Sequence, residues 1–251
     1  MCGVDYVIPC EVVHSPKIPV DVSRAATWAV ASRQAPKRTM KRQLRTLLKQ
    51  KRFQEISERA VGRKRVLGAL VSLTYEADPL IAWRAAEAQG WAAARIAAAD
   101  PRFVRSHLRR LHWLLSEESG GICRHAPQAM AEIVVRTGER FADYASITAS
   151  LLTEMAEEDL AGGFRASVLW ALARLASVAR ADIEPLLPEV VRSFDDPDPT
   201  VRGLAAWCAL EAGRRDLVRN ARELGADTTP FQIYRDGEFH ATSTHDLLAA
   251  C

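Results

Sequence analysis

The chain has 251 residues, 48% of them apolar and 26% charged, with a formal net charge of +3 at pH 7. That length can fill one domain or two with a substantial core, and an alanine- and leucine-rich composition with few β-branched residues favours helices. No stretch reaches the roughly 18–20 uninterrupted apolar residues of a membrane span, and the Met1-Cys2-Gly3 start lacks a basic region ahead of an apolar one, so neither a membrane segment nor a signal peptide is expected.

Residues 1–39 carry no helical period and are interrupted at Ile8-Pro9, Ser15-Pro16, Ile18-Pro19 and Ala35-Pro36, which points to a mostly irregular tail. A clean amphipathic pattern starts at Met40, making that residue a candidate start of the native chain. Leu44, Leu47 and Leu48, then Phe53 and Ile56, predict two short helices over 40–61, broken near Lys51 and capping the first full repeat. Between Ala35 and Arg65 twelve Lys or Arg face only Glu55 and Glu58. This local excess makes Lys37, Arg38, Lys41, Arg42 and Arg45 candidates for contact with a polyanion; a solvated helix face is the other reading of the same run.

From here the chain repeats. Arg84, Arg124, Arg165 and Arg202 recur at intervals of 40, 41 and 37 residues, each six positions after an acid: Asp78, Glu118, Asp159 and Asp196. A period near 40 holding two helical patterns is the signature of a helical solenoid. First helices are expected over Arg63–Glu76, Arg102–Glu117, Phe141–Glu158 and Ile183–Phe194, and second helices over Leu80–Ala98, Ile122–Arg136, Phe164–Val178 and Val201–Ala212. The acid suits a helix entrance, and the arginine one turn on can reach it or the acid of the next repeat, which predicts a charged ladder between stacked units. After Gly213, Arg215–Leu224 reads as one more helix. Phe231–Tyr234 and Glu238–Thr242 about Asp236-Gly237 read as a β-hairpin, succeeded by a short helix behind a Ser or Thr cap.

The acidic turn, the interval to arginine and the run Val201-Arg202-Gly203-Leu204-Ala205-Ala206 resemble HEAT repeats, especially the short form shared with phycobilisome-lyase-type proteins. The match is best at Asp196–Ala206 and Trp83–Gly90, while Pro127 inside the Arg124 helix departs from the pattern. The resemblance covers about 65–214. It implies an all-α, right-handed α-α superhelix (a HEAT-like α-solenoid), to which the sequence adds a small C-terminal β-hairpin cap. The expected organisation is a tail over 1–39, a repeat domain over 40–216 and a cap over 217–251.

Chemistry is sparse. There is no phosphate loop, no dinucleotide fingerprint and no His-Glu-x-x-His motif. Five scattered cysteines without a Cys-x-x-Cys pair suggest reduced thiols in a cytoplasmic protein, and no metal or cofactor is expected. The acidic clusters recur at one place in each repeat, which favours a structural edge over an active site. Such repeats serve scaffolds, transport factors, lyases and DNA glycosylases alike. Two functions therefore stand side by side: a non-enzymatic scaffold for a protein partner, and a nucleic-acid-binding protein that uses the basic helices. For the first, the positions one and five after each anchor should face the concave wall. Gln89, His125, Trp170 and Trp207 are accordingly the candidate binding residues, the two indoles forming a shallow apolar shelf.

Overall fold

A computed structural model describes residues 39–115, 122–154 and 163–250. They belong to one compact unit, Thr39–Cys251; Lys37, Arg38, Glu118 and Asp159 lie outside the described residues.

Helix α1 (39–49) buries Leu44, Leu47 and Leu48. It ends where Lys51 takes a positive φ of 58°, with the Arg52 N–H returning to the Leu47 carbonyl, and α2 (Phe53–Val61) turns back from that corner. Paired helices come next: α3 (Arg65–Leu73) with α4 (Pro79–Ala99), α5 (Pro101–Trp113) with α6 (Ala126–Thr137), and α7 (Asp143–Glu154) with α8 (Gly163–Ala176). The last first-position helix is broken into α9 (Arg180–Ile183) and α10 (Leu187–Arg192) with 3-10 turns after each. Pro185 and Pro188 account for the break, since neither can donate within a helix interior. Its partner is α11 (Pro199–Glu211). Helices α2, α4, α6, α8 and α11 pack side by side as an inner row, with α3, α5, α7 and α10 behind them.

Local rules set the starts of the inner helices. Asp78 caps α4 by accepting from the Leu80 and Ile81 N–H groups, and Asp198 caps α11 by accepting from Thr200; each is followed by a proline at the first helical position. Pro127 does not interrupt α6. The helix begins at Ala126, four residues later than expected, so the proline lies in its first turn, where its missing N–H is harmless. Alanines and Gly90 allow close approach between inner helices: a Cβ on Gly90 would stand 2.5 Å from the Glu132 carbonyl oxygen.

After α11 the expected single helix is split into α12 (Arg215–Asn220) and α13 (Arg222–Gly225), because Ala221 leaves helical geometry at ψ 76°. Strands β1 (Phe231–Arg235) and β2 (Glu238–Thr242) pair in antiparallel register from Phe231↔Thr242 to Arg235↔Glu238. Both turn residues, Asp236 and Gly237, have positive φ (49° and 80°), the turn that matches strand twist in a two-residue hairpin. Helix α14 (Thr244–Ala250) closes the unit, its first turn capped by the Ser243 hydroxyl accepting from Asp246 N–H.

The hairpin does more than cover the last helices. It lies across the inner row. At one end the Phe231 ring occupies the space above Gly203 on α11, 2.2 Å from where a Cβ would be. At the other end buried Arg84 on α4 donates to the Gly237 carbonyl (2.7 Å), to the Leu48 and Lys49 carbonyls at the α1–α2 corner (2.9 Å each) and to Glu238 (3.0 Å). The hairpin thus reaches from α11 to α4, its span extended by the Phe231 ring at one end and the Arg84 side chain at the other.

Candidate functional site

The inner face is built from one stripe per helix. On α4 it is Trp83, Glu87 and Trp91; on α6, Glu132 and Arg136, with His125 just before the helix; on α8, Ala166, Trp170 and Arg174; on α11, Gly203, Trp207 and Glu211. The hairpin sets Tyr234 and Phe239 into this surface. Trp83 lies nearly parallel to Tyr234 (ring centroids 5.0 Å apart) and meets Trp170, Phe239 and His125 edge-on at 5.1, 5.9 and 5.4 Å. Trp170 also contacts Trp207 at 6.2 Å and donates its indole N–H to the Tyr234 carbonyl at 2.9 Å.

The expected open shelf at Trp170 and Trp207 is not there: they are 2% and 3% exposed, with Tyr234 of the hairpin against Trp170 and Arg235 over Trp207. Gln89 is a second correction. It is fully buried, points away from the stripe and accepts from His107 on α5 at 2.9 Å. The cause is a two-residue slip in the first repeat. Aligned on the Asp-Pro helix starts, Asp78-Pro79 and Asp198-Pro199, the sequence places Trp83 opposite Gly203 and Glu87 opposite Trp207. Aligned on the repeating arginines, it does not.

The charged ladder is also corrected where both members are described. Asp78 spends its carboxylate on the α4 cap, and Arg84 turns the other way, to the hairpin. Arg202 bonds the backbone carbonyl of Asp196 (2.8 Å), not its carboxylate, and forms its ion pair with Asp227 (2.8 Å). Hydrogen bonds from Thr229, with Arg202 adding, hold Asp227 down to a pKa of about 2. Arg124 is exposed in the turn before α6, and Arg165 is half-buried on α8. Of the basic candidates, Lys41 and Arg45 pair with Glu76 at 2.9 and 3.2 Å, and Arg42 is exposed.

Two cavities flank β1. The first, about 180 Å³, has Glu87, Glu132, Arg136, Arg174 and Tyr234 in its wall. Arg136 bridges Glu132 (3.1 Å) and Glu87 (3.2 Å), Arg174 holds the other Glu132 oxygen (2.9 Å), and the Tyr234 hydroxyl donates to Glu87 at 2.7 Å. Burial, reinforced by the Glu132 charge, pushes the Glu87 carboxyl upward, and burial with both carboxylates nearby pushes Tyr234 up as well. Arg136 stacks over Trp91, Arg174 lies near Trp170 and Arg235 covers Trp207.

The second cavity, about 200 Å³, opens where α6, α8 and α11 begin. Trp83, Trp170, Tyr234 and Ala166 wall it, Arg124 and His125 stand at one side, and Thr200 and Gln232 at the other. His125 Nδ1 is buried with no hydrogen-bond partner among the described residues. Burial, and then the Arg124 charge, hold this imidazole neutral, with a pKa of about 4. The structure thus brings His125 and Trp170 to one site, places Trp207 in the other and leaves Gln89 out. Trp83 and Tyr234, which the repeat register missed, line the cavity of His125, and Glu87 lines the other. Among the described residues no group of three His, Cys, Asp or Glu side chains could hold a metal ion; Cys123 and Cys208 are buried free thiols; and no helix is long and apolar enough to cross a membrane.

Comparison with known proteins agrees with this repeat layout. Residues 163–208, spanning α8 to α11, match the HEAT-like repeat family model. An uncharacterized protein of Archaeoglobus fulgidus is 32% identical over 182 residues, which cover 71% of this chain and 91% of that one. Among solved structures, a designed armadillo repeat protein aligns over 75% of this chain and 91% of its own at 17% identity (TM-score 0.43), and an engineered protein over 72% and 86% at 19% identity (TM-score 0.42). With its paired helices, its inner row and that relative of nearly matching extent, the chain belongs to the HEAT-like repeat family.

Proposed function

We propose that the protein is a non-enzymatic scaffold that binds a protein partner at the inner face beside its hairpin. One observation carries this reading: the 200 Å³ cavity opens between aromatic walls and has at its rim Arg124, which makes no hydrogen bond among the described residues. Unspent hydrogen-bonding capacity next to apolar surface is what a docking anchor needs. The carboxylates that acid–base chemistry would call on, Glu87 and Glu132, are instead tied to Arg136, Arg174 and Tyr234. A nucleic-acid contact through Lys41, Arg42 and Arg45 has less support, since Lys41 and Arg45 are both engaged with Glu76.

The test is affinity capture from native extract with the wild-type chain and with Ala166→Arg, which fills the cavity from a half-buried position. A partner held by the first and lost by the second supports the reading. A partner held equally by both moves the interface elsewhere, and recovery of none with the wild type overturns the scaffold.

A further inference from the structure

The chemistry of the second cavity narrows what it can hold. Among the described residues no carboxylate lines it and its one formal charge is Arg124, whose guanidinium makes no hydrogen bond or ion pair among them. Beside it stands His125, its Nδ1 enclosed, and across the opening Thr200 and Gln232 have side chains with no hydrogen bond among the described residues. Ser167, by contrast, already spends its hydroxyl on the Gly163 carbonyl at 3.1 Å. The remaining walls are flat and apolar: Trp83, Trp170 and Tyr234, with Ala166 and Leu204 leaving room between them. A cavity of about 150 Å³ is enough for benzene, so 200 Å³ accommodates one ring and a small polar group. A guanidinium with no partner among the described residues suits a carboxylate, and a single cation among them matches a single negative charge.

We propose that this cavity binds a monoanionic aromatic acid, the ring against Trp83 and Trp170 and the carboxylate on Arg124. Two sources share that chemistry: a free arylalkanoate, and a peptide chain ending in an aromatic residue. The peptide source rests on the scaffold reading; the free acid does not.

Tryptophan fluorescence and calorimetry on the purified full chain test the proposal with 3-phenylpropionate against 3-phenylpropionamide, and with a peptide ending in a free phenylalanine carboxylate against the same peptide amidated. The acid should bind with a Kd below about 10 mM, the weakest expected for a ligand of this size, and about tenfold tighter than its amide. Arg124→Gln should bring the acid down to the level of the amide, and Ala166→Trp should abolish both without loss of the circular-dichroism spectrum. Equal binding of acid and amide, no binding by either, or unchanged affinity in Ala166→Trp would overturn the proposal. Preference for the free-ended peptide over the free acid identifies a protein terminus as the source, and the reverse a small molecule. If a partner is captured but no acid binds, the scaffold stands and this inference fails. If acids bind but no partner is recovered, the inference stands on the free acid and the scaffold fails.

Discussion

The two sides of strand β1 share Trp170 and differ in how their charges are used. On the Glu87 side each carboxylate has its guanidinium, and Tyr234 takes what is left. On the His125 side an arginine and a ring nitrogen have nothing to bond among the described residues. Two buried carboxylates must be compensated or they unfold the protein; a lone arginine at an open rim is solvated and costs little. The first arrangement holds four elements together, while the second leaves groups free for something else.

The contact shared by both sides should be the costliest to break. Trp170→Ala removes a buried indole from both cavities and strands the Tyr234 carbonyl, so a loss of about 3–5 kcal/mol is expected in denaturant unfolding. A loss under about 1 kcal/mol would mean that the hairpin does not depend on the helices beneath it. Glu132→Gln should come next, at about 2–4 kcal/mol, because it takes a charged partner from Arg136 and Arg174 together. Its effect should be strongly non-additive with Arg174→Met, and additive energies would show that the network is only a set of separate pairs.

Acid should separate the two sides by sign. His125 has a folded pKa of about 4, below its usual value, because of burial and then Arg124. Between pH 6.5 and 4 the unfolded chain therefore takes up a proton that the folded one refuses, and stability falls as pH drops. Burial raises Glu87, so its contribution is present in acid and lost as pH rises through its folded pKa. Stability measured at about pH 7 and pH 4.5 should show a smaller acid loss in His125→Gln, by roughly 1–2 kcal/mol allowing for partial exposure, and a larger one in Glu87→Gln. Parallel pH profiles for the two variants would refute the assignment.

Helix pairs, the break at Lys51, the hairpin and its turn are all legible in the sequence, because period, proline placement and the Asp-Gly pair act locally. The destination of the hairpin is not. A strand carries no record of which surface it will cross, and Arg84 reads as a ladder member although its partners are Leu48, Lys49, Gly237 and Glu238. The repeat register offers Trp170 and Trp207 as an open shelf and cannot show their burial, which comes from residues 231–242, far along the chain. The position of Gln89 is recoverable from sequence by a better anchor. Asp-Pro pairs mark helix starts by a backbone constraint, whereas arginines can reach in several directions and keep register poorly.

The smallest effect is expected at Arg124. It is exposed at the cavity rim and no described residue takes its hydrogen bonds, so Arg124→Gln should change stability by less than about 0.5 kcal/mol, as for other surface substitutions. Removing the cation should also let the His125 pKa rise, since that charge contributes to its depression. The ring proton chemical shifts of His125, tracked through a pH titration, should therefore move to a higher midpoint in the variant. Burial remains the main cause of the shift, so the midpoint should stay below the ordinary histidine value. A near-zero stability change together with an upward midpoint would place Arg124 beside the imidazole as a charge the fold does not use. A stability loss as large as that of Glu132→Gln would show instead that the His125 side is as fully committed as the other, and the contrast across β1 would be gone.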